Sequence, residues 1–306
     1  MSYTTDIKNE ILDSKDSKTA LIALLSGFSR NNGIIKNDEF QLTTENEKTA
    51  EYIANLFYEL YEEHVMIKVR DYVNFSKKKQ YILSIYNKTE TILKDIGFND
   101  KDNKKLKISP EYIVDGDEEV RAYLKGVFLT GGSINDPKTS QYHMELTFNS
   151  ADEAVFVQKL LNTFDLNAKL LTRDKGYMVY LKEAERISDF LKILGVNKAV
   201  MYFEDIRIYH DKKNQANRLN NCEQANMDKV FTAASIQLQH IEIIEDHMGI
   251  ELLDEKTKEA LEYRKKYPEA SLKELSEIMS IETGNKLTKS GLNHRFRKIK
   301  ELAEKY

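Results

Sequence analysis

The sequence has one cysteine, three prolines, no tryptophan and no long apolar run. With Cys222 alone, neither an intramolecular disulfide nor a thiolate zinc cluster can form. The most apolar stretch, residues 19–28, is about half of what a bilayer span requires. The first ten residues, MSYTTDIKNE, are polar and carry no apolar signal region, so a cytoplasmic protein is expected. Few prolines, with 41% apolar and 31% charged residues in 306, exclude extended disorder and describe a helix-rich α+β chain of about two domains. The six histidines are scattered; His240 and His247 share a helix face without a third ligand, so neither metal nor cofactor is expected.

Positive charge is unevenly placed. The whole chain has net charge -4, and residues 1–198 hold 28 basic against 31 acidic side chains. Between Lys286 and Lys300 there are six basic residues and no acidic one. A cluster confined to one element bears on nucleic-acid binding more than the total does.

The chain also repeats itself. TALIALLSGFSRNNG (19–33) and VRAYLKGVFLTGG (120–132) are apolar helices that align at an offset of 99 residues, with Gly27 matching Gly126 and Gly33 matching Gly132. Each is followed by a hairpin, an amphipathic helix (47–63 and 151–164), a second hairpin, and a helix ending in a glycine turn (92–98 and 190–196). The order α-β-β-α-β-β-α therefore occurs twice, joined by a charged connector over 99–116. Gly27 and Gly126 allow the two first helices to approach closely along a pseudo-twofold seam. Gly33 and Gly132 are expected to be left-handed residues ending those helices.

This unit resembles the LAGLIDADG homing endonuclease fold, whose nine-residue signature aligns with LSGFSRNNG (25–33) and LKGVFLTGG (124–132). In the nucleases, the acid before the final glycine binds the metal that activates water. Here Asn32 and Gly131 occupy that position, and the other acidic position holds Arg30 and Leu129. The resemblance therefore implies the scaffold without the cutting centre, because hard divalent cations require anionic oxygen ligands. Asp38 and Asp136 in the hairpins are the acids nearest to replacing them.

Residues 199–228 lack a clean period and read as a polar linker, in which NRLNNCEQAN could set amides against a phosphate backbone or against its own backbone groups. Cys222 reads as a small packing residue. Helical patterns follow over 228–248 and 255–267. Ser271 and Glu274 form a capping box, Gly284-Asn285 breaks the helix they start, and Thr288 caps the last one. Its apolar stripe is Leu292, Phe296, Ile299 and Ala303; the other side carries Ser290, Asn293, His294, Arg297 and Lys298. This pattern reads as a helix-turn-helix over about 271–304. Asn293 and Arg297 are expected to read bases, with His294 and Ser290 beside them and Thr288 at the start of the helix. Lys289, Arg295, Lys298 and Lys300 are expected to hold phosphates.

A duplicated LAGLIDADG-like domain without its acids, followed by a helix-turn-helix, resembles the bacterial WhiA family across essentially the whole chain. The stretches 129–146, 203–226 and 287–305 carry the resemblance most specifically. It implies a non-enzymatic, nucleoid-associated regulator of transcription that binds double-stranded DNA and serves cell division, chromosome segregation and, in spore-formers, sporulation. The expected domains are 1–98 and 99–198 for the repeats, 199–228 for the linker and 229–306 for the DNA-binding module. A division-associated docking scaffold is the alternative, with a protein co-regulator on the duplicated domain; an active DNA endonuclease is the third reading.

Overall fold

The computed structural model describes residues 2–36, 39–71, 79–99, 105–139 and 141–306. Contacts divide the chain into two units, Met1–His210 and Asp211–Tyr306.

The first unit opens with α1 (Tyr3–Leu12), a helix that the sequence reading passed over. Ser2 caps it, and Tyr3, Ile7 and Ile11, four residues apart, are buried. The first repeat follows as α2 (Lys18–Asn32), β1 (Ile34–Lys36), β2 (Glu39–Thr44), α3 (Glu47–Tyr61), β3 (Met66–Asp71), β4 (Lys79–Ile85) and α4 (Thr89–Asp95). The second runs α5 (Asp117–Gly131), β5 (Gly132–Ile134), β6 (Met144–Phe148), α6 (Ala151–Thr163), β7 (Lys169–Arg173), β8 (Gly176–Leu181) and α7 (Ala184–Ile193). The two antiparallel sheets have the same strand order, β1-β2-β4-β3 and β5-β6-β8-β7. Period-two burial fixes which face is inward: Phe40 and Leu42 in β2, and Met144, Leu146 and Phe148 in β6, point into one core shared by both repeats.

The seam between α2 and α5 depends on its glycines. A Cβ at Gly27 would lie 2.3 Å from the Tyr123 carbonyl oxygen, and one at Gly126 would lie 2.1 Å from that of Leu24. Only hydrogen lets the two backbones approach this closely. The expectation for Gly33 and Gly132 is corrected. Their φ values are -77° and -83°, extended rather than left-handed. Glycine sits there because a side chain has no room: a Cβ would meet Ser29 O at 2.5 Å in one copy and Phe128 Cδ2 at 2.2 Å in the other. The glycines that end the repeats, Gly97 and Gly195, are the left-handed ones at those helix ends, with φ 63° and 72°.

A second correction concerns residues 199–228. They are helical and lie within α8 (Asn197–His247), a single helix of 51 residues. No proline or glycine interrupts this span, which accounts for its continuity. Cys222 is exposed on it rather than packed.

In the second unit, Ile241 and Ile244 of α8 pack with α9 (Glu255–Lys266), α10 (Leu272–Thr283) and α11 (Lys289–Ala303) around Leu261, Leu275, Met279, Leu292, Phe296 and Ile299. The capping box at Ser271 has both of its hydrogen bonds, Gly284 is left-handed with φ 71°, and Thr288 caps α11.

Candidate nucleic-acid interface

Two places could bear function. The first is where α2 and α5 end together in the first unit. An open cavity of about 830 Å³ lies there, lined by Asn31, Asn32, Thr130, Gly131 and Thr147, with Lys8 of α1 and Lys175 also on its wall. Burial pulls the Lys8 ammonium down to about 8, opposed in part by Glu45. The donor set does not fit a divalent cation. The Asn32 amide donates to the Thr43 carbonyl, which leaves one neutral oxygen, and Asn31 Nδ2 donates to the Thr147 carbonyl at 2.8 Å. At Gly131 a side chain has no space, since its Cβ would fall 2.5 Å from Thr147 O. The carboxylates on this wall, Glu45 and Glu47, are exposed. Asp136 accepts from Tyr202 Oη in a different cavity, and Asp38 lies outside the described residues.

The other acidic position of the signature has become a clamp. Arg30 is only 8% exposed. Its guanidinium donates to Ser109 Oγ at 3.1 Å, to Leu106 O at 2.6 Å, to Ile108 O at 3.0 Å and to Gly97 O. One cation thus pins the chain on both sides of residues 100–104, the part of the expected connector that lies outside the described residues. Ser109 also donates to Tyr123 Oη at 3.1 Å, and Tyr123 donates to the buried Glu153 carboxylate. Burial raises the Glu153 carboxyl and lowers the Arg30 guanidinium from their ordinary values.

The second place is α11. Its buried stripe of Leu292, Phe296, Ile299 and Ala303 fixes which side faces water. Ser290, Asn293, His294 and Arg297 are all exposed there and make no hydrogen bond or ion pair within the described residues. At 3.6 residues per turn these positions share one face. The turn before α11 is latched by Ser280, whose Oγ accepts from Leu287 N at 2.9 Å and donates to Leu287 O at 3.1 Å.

The models of three families match successive parts of the chain: the WhiA N-terminal LAGLIDADG-like domain over residues 15–99, the WhiA LAGLIDADG-like domain over 120–213 and the WhiA C-terminal HTH domain over 216–303. A probable cell division protein WhiA of Staphylococcus epidermidis is 41% identical over 309 residues, covering 100% of this chain and 97% of the relative. The chain belongs to the WhiA family. A WhiA protein of Latilactobacillus sakei is 39% identical over 311 residues, covering 100% of this chain and 98% of its own. Among solved structures, full-length DUF199/WhiA from Thermatoga maritima matches with TM-score 0.60 at 23% identity, covering 100% of this chain and 98% of that one. The N-terminal LAGLIDADG domain of DUF199/WhiA matches with TM-score 0.51 at 22% identity, covering 63% of this chain and 89% of that one. At these identities the structures speak for the fold: two LAGLIDADG-like repeats and a helical HTH region.

Within this WhiA fold the expected basic contacts divide. Lys289 and Arg297 are exposed and unpaired among the described residues, and Lys300 is exposed but lies 3.5 Å from Glu304 Oε1; Arg295 is not available as expected. Its side chain is 18% exposed and its Nη1 donates to Glu259 Oε2 at 2.7 Å and to Lys256 O at 3.0 Å, so it braces α11 against α9. Lys298 pairs with Asp254, the cap of α9, whose carboxyl the ammonium and the Thr257 hydroxyl hold well below its usual range. Sequence spacing places these side chains on α11 but says nothing of the acids that α9 brings alongside. Lys8 was also missed, although the buried four-residue spacing of α1 was there to be read.

Proposed function

We propose that this WhiA-family chain is a non-enzymatic, sequence-selective DNA-binding regulator of transcription serving cell division and chromosome segregation, with α11 as its recognition helix. What carries the reading is the face of Ser290, Asn293, His294 and Arg297, exposed and without partners among the described residues, held opposite a buried stripe. Asn presents the two-bond pattern that matches adenine, and Arg the one that matches guanine. Lys289 and Lys300, at the edge of this face, are suited to phosphates, and Thr288 sets where the helix begins. Enrichment of bound duplexes from a random library at fixed salt tests the reading. Arg297→Ala should lose about 1–3 kcal/mol of discrimination at one base position, whereas Lys289→Ala should weaken all sequences alike and lower the salt slope by about one. Failure of the full-length protein to enrich any duplex, or an unchanged motif with Arg297→Ala, refutes it.

The absence of nuclease chemistry rests on the Asn32 amide and the filled space at Gly131, which supply no anionic cage. Nucleoid association follows from DNA binding. A second reading, that the duplicated domain docks a protein co-regulator, is favoured by its acidic balance of 28 basic to 31 acidic residues over 1–198, which opposes a strong grip on a polyanion.

A further inference from the structure

Residues 212–221 of α8 read KKNQANRLNN, with three basic side chains, five amides and no acid. Every residue from Asp211 to Lys229 is exposed. Lys212, Lys213, Asn214, Asn217, Arg218 and Asn221 make no hydrogen bond or ion pair within the described residues. The nearby polar contacts are local ones between side chains: Gln224 donates to Asp228 at 3.1 Å, and Asn226 Nδ2 approaches Cys222 Sγ at 3.9 Å.

Local physics does not favour this stretch. Asn is a poor residue for a helix interior, about half a kcal/mol or more worse than Ala per position, and here the exposed side chains gain no burial among the described residues to offset the cost. Such disagreement between local preference and adopted structure concentrates at functional sites. The spacing is also ordered. Asn214, Asn217, Arg218 and Asn221 stand three and four residues apart and so form one stripe, while Ala216, Leu219, Glu223 and Met227 fall on the other side. A stripe of amides around a guanidinium, with Lys213 at its edge, offers donors at the spacing of groove edges and phosphate oxygens.

We infer that this stripe of α8 is a second contact with double-stranded DNA, made by Asn214, Asn217, Arg218 and Asn221, with Lys213 at its edge on phosphate. The inference rests on the reading of α11 as the recognition helix and extends it. Arg218 precedes Ile241, where α8 joins the core of the second unit, by 23 residues. At 1.5 Å per residue a straight helix covers roughly 35 Å over that span, about one turn of B-DNA. The stripe therefore reaches beyond the base pairs that α11 can touch. An amide-rich face also distinguishes this contact from purely electrostatic attraction, which lysines alone would supply.

The test uses the full-length protein and a duplex enriched by it from a random library, with affinity and hydroxyl-radical footprint measured together. Asn217→Ala/Arg218→Ala/Asn221→Ala should bind 10- to 100-fold more weakly and lose protection on one flank, about a helical turn from the segment protected by α11. Because alanine is the best helix former, this variant should keep or raise its helical circular dichroism, so that lost binding is not lost folding. Arg218→Lys, which keeps the charge without the planar fork, should recover only part of the loss. Leu219→Gln, on the opposite side, should bind as the wild type does. If the triple variant binds within twofold of wild type with an unchanged footprint while Arg297→Ala is impaired, this inference is overturned and the role of α11 stands. If wild type enriches no duplex, the reading beneath it falls as well.

Discussion

Adding a single methyl group at Gly126 should measure how tightly the two repeats are joined. Its Cβ would lie 2.1 Å from Leu24 O, 2.7 Å from Phe28 N and 3.0 Å from Leu24 C, all backbone atoms of a buried helix. None of these can swing aside, so α2 and α5 must move apart by about 1 Å to restore ordinary contact. A gap of that size forfeits a quarter to a half of each contact's dispersion energy. The side chains facing the seam, among them Leu24, Phe28, Tyr123 and Val127, are all at most 1% exposed. Overpacking of such a core costs about 1–3 kcal/mol and occasionally more, while alanine in place of a helical glycine returns about 1 kcal/mol. A seam of four large side chains puts the overpacking at or just above the upper end, about 3–4 kcal/mol, so that Gly126→Ala has a net loss of about 2–3 kcal/mol. In urea unfolding the midpoint of the first unit should fall by that amount divided by the m-value. Gly291→Ala in α11 is the control, because its Cβ would meet nothing nearer than 3.4 Å. It should be neutral or stabilising. A Gly126→Ala protein within about 0.5 kcal/mol of wild type, the range of ordinary surface substitutions, would show that the seam is not close-packed as described.

Two further perturbations address the remodelled centre. Arg30→Ala removes a guanidinium that serves three carbonyls and a hydroxyl, and should destabilise by about 3–4 kcal/mol in denaturant unfolding, with Arg30→Lys recovering little because one ammonium cannot span them; a change under 1 kcal/mol would remove the clamp from the account. For Lys8 the folded value of about 8 lies below the unfolded one, so folding expels a proton between about 8 and 10.5 and stability gains with pH in that window. Lys8→Met should therefore be more stable than wild type at pH 7, with the difference closing as pH approaches 10; parallel stability curves would refute the burial of that charge.

How much could be read from the sequence depended on the kind of signal. The duplication was legible because apolar periods of 3.6 and 2 recur in the same order with a near-constant offset, and the glycine seam because two glycines align within apolar helices. The helix ends of the second unit were legible too, since Ser271, Glu274, Gly284 and Thr288 act on neighbours within a turn. What could not be read were relations between distant residues. Nothing near Arg295 in sequence announces Glu259, 36 positions earlier, as its partner. Gly33 and Gly132 were assigned the wrong cause for the same reason: a left-handed turn is a local requirement, whereas a clash with Phe40 or Phe128 depends on how a helix meets its sheet or its own previous turn. The continuity of α8 escaped because amides favour turns on average, and only the lack of a breaker over fifty residues argued otherwise.

The two signature positions show how side chains other than acids hold this scaffold together. In an acid-bearing centre, carboxylates at the ends of two apposed helices repel one another, and a bound cation has to offset that repulsion. Here each position has passed into the cohesion of the fold. Asn32 and its neighbour Asn31 tie the helix end to the carbonyls of Thr43 and Thr147, one in each sheet, and Gly131 lets Thr147 pack against the end of α5. Arg30, where the signature has its other acid, replaces a negative charge with a buried positive one and gathers the inter-repeat segment onto α2. Restoring the acids singly should therefore not restore a metal site. Arg30→Asp would leave the Gly97, Leu106 and Ile108 carbonyls without their donor and bury an anion beside Glu153. Gly131→Asp would force its side chain into Thr147 O. Both should destabilise the first unit before either binds magnesium, and calorimetric titration with magnesium on folded variants would detect the contrary.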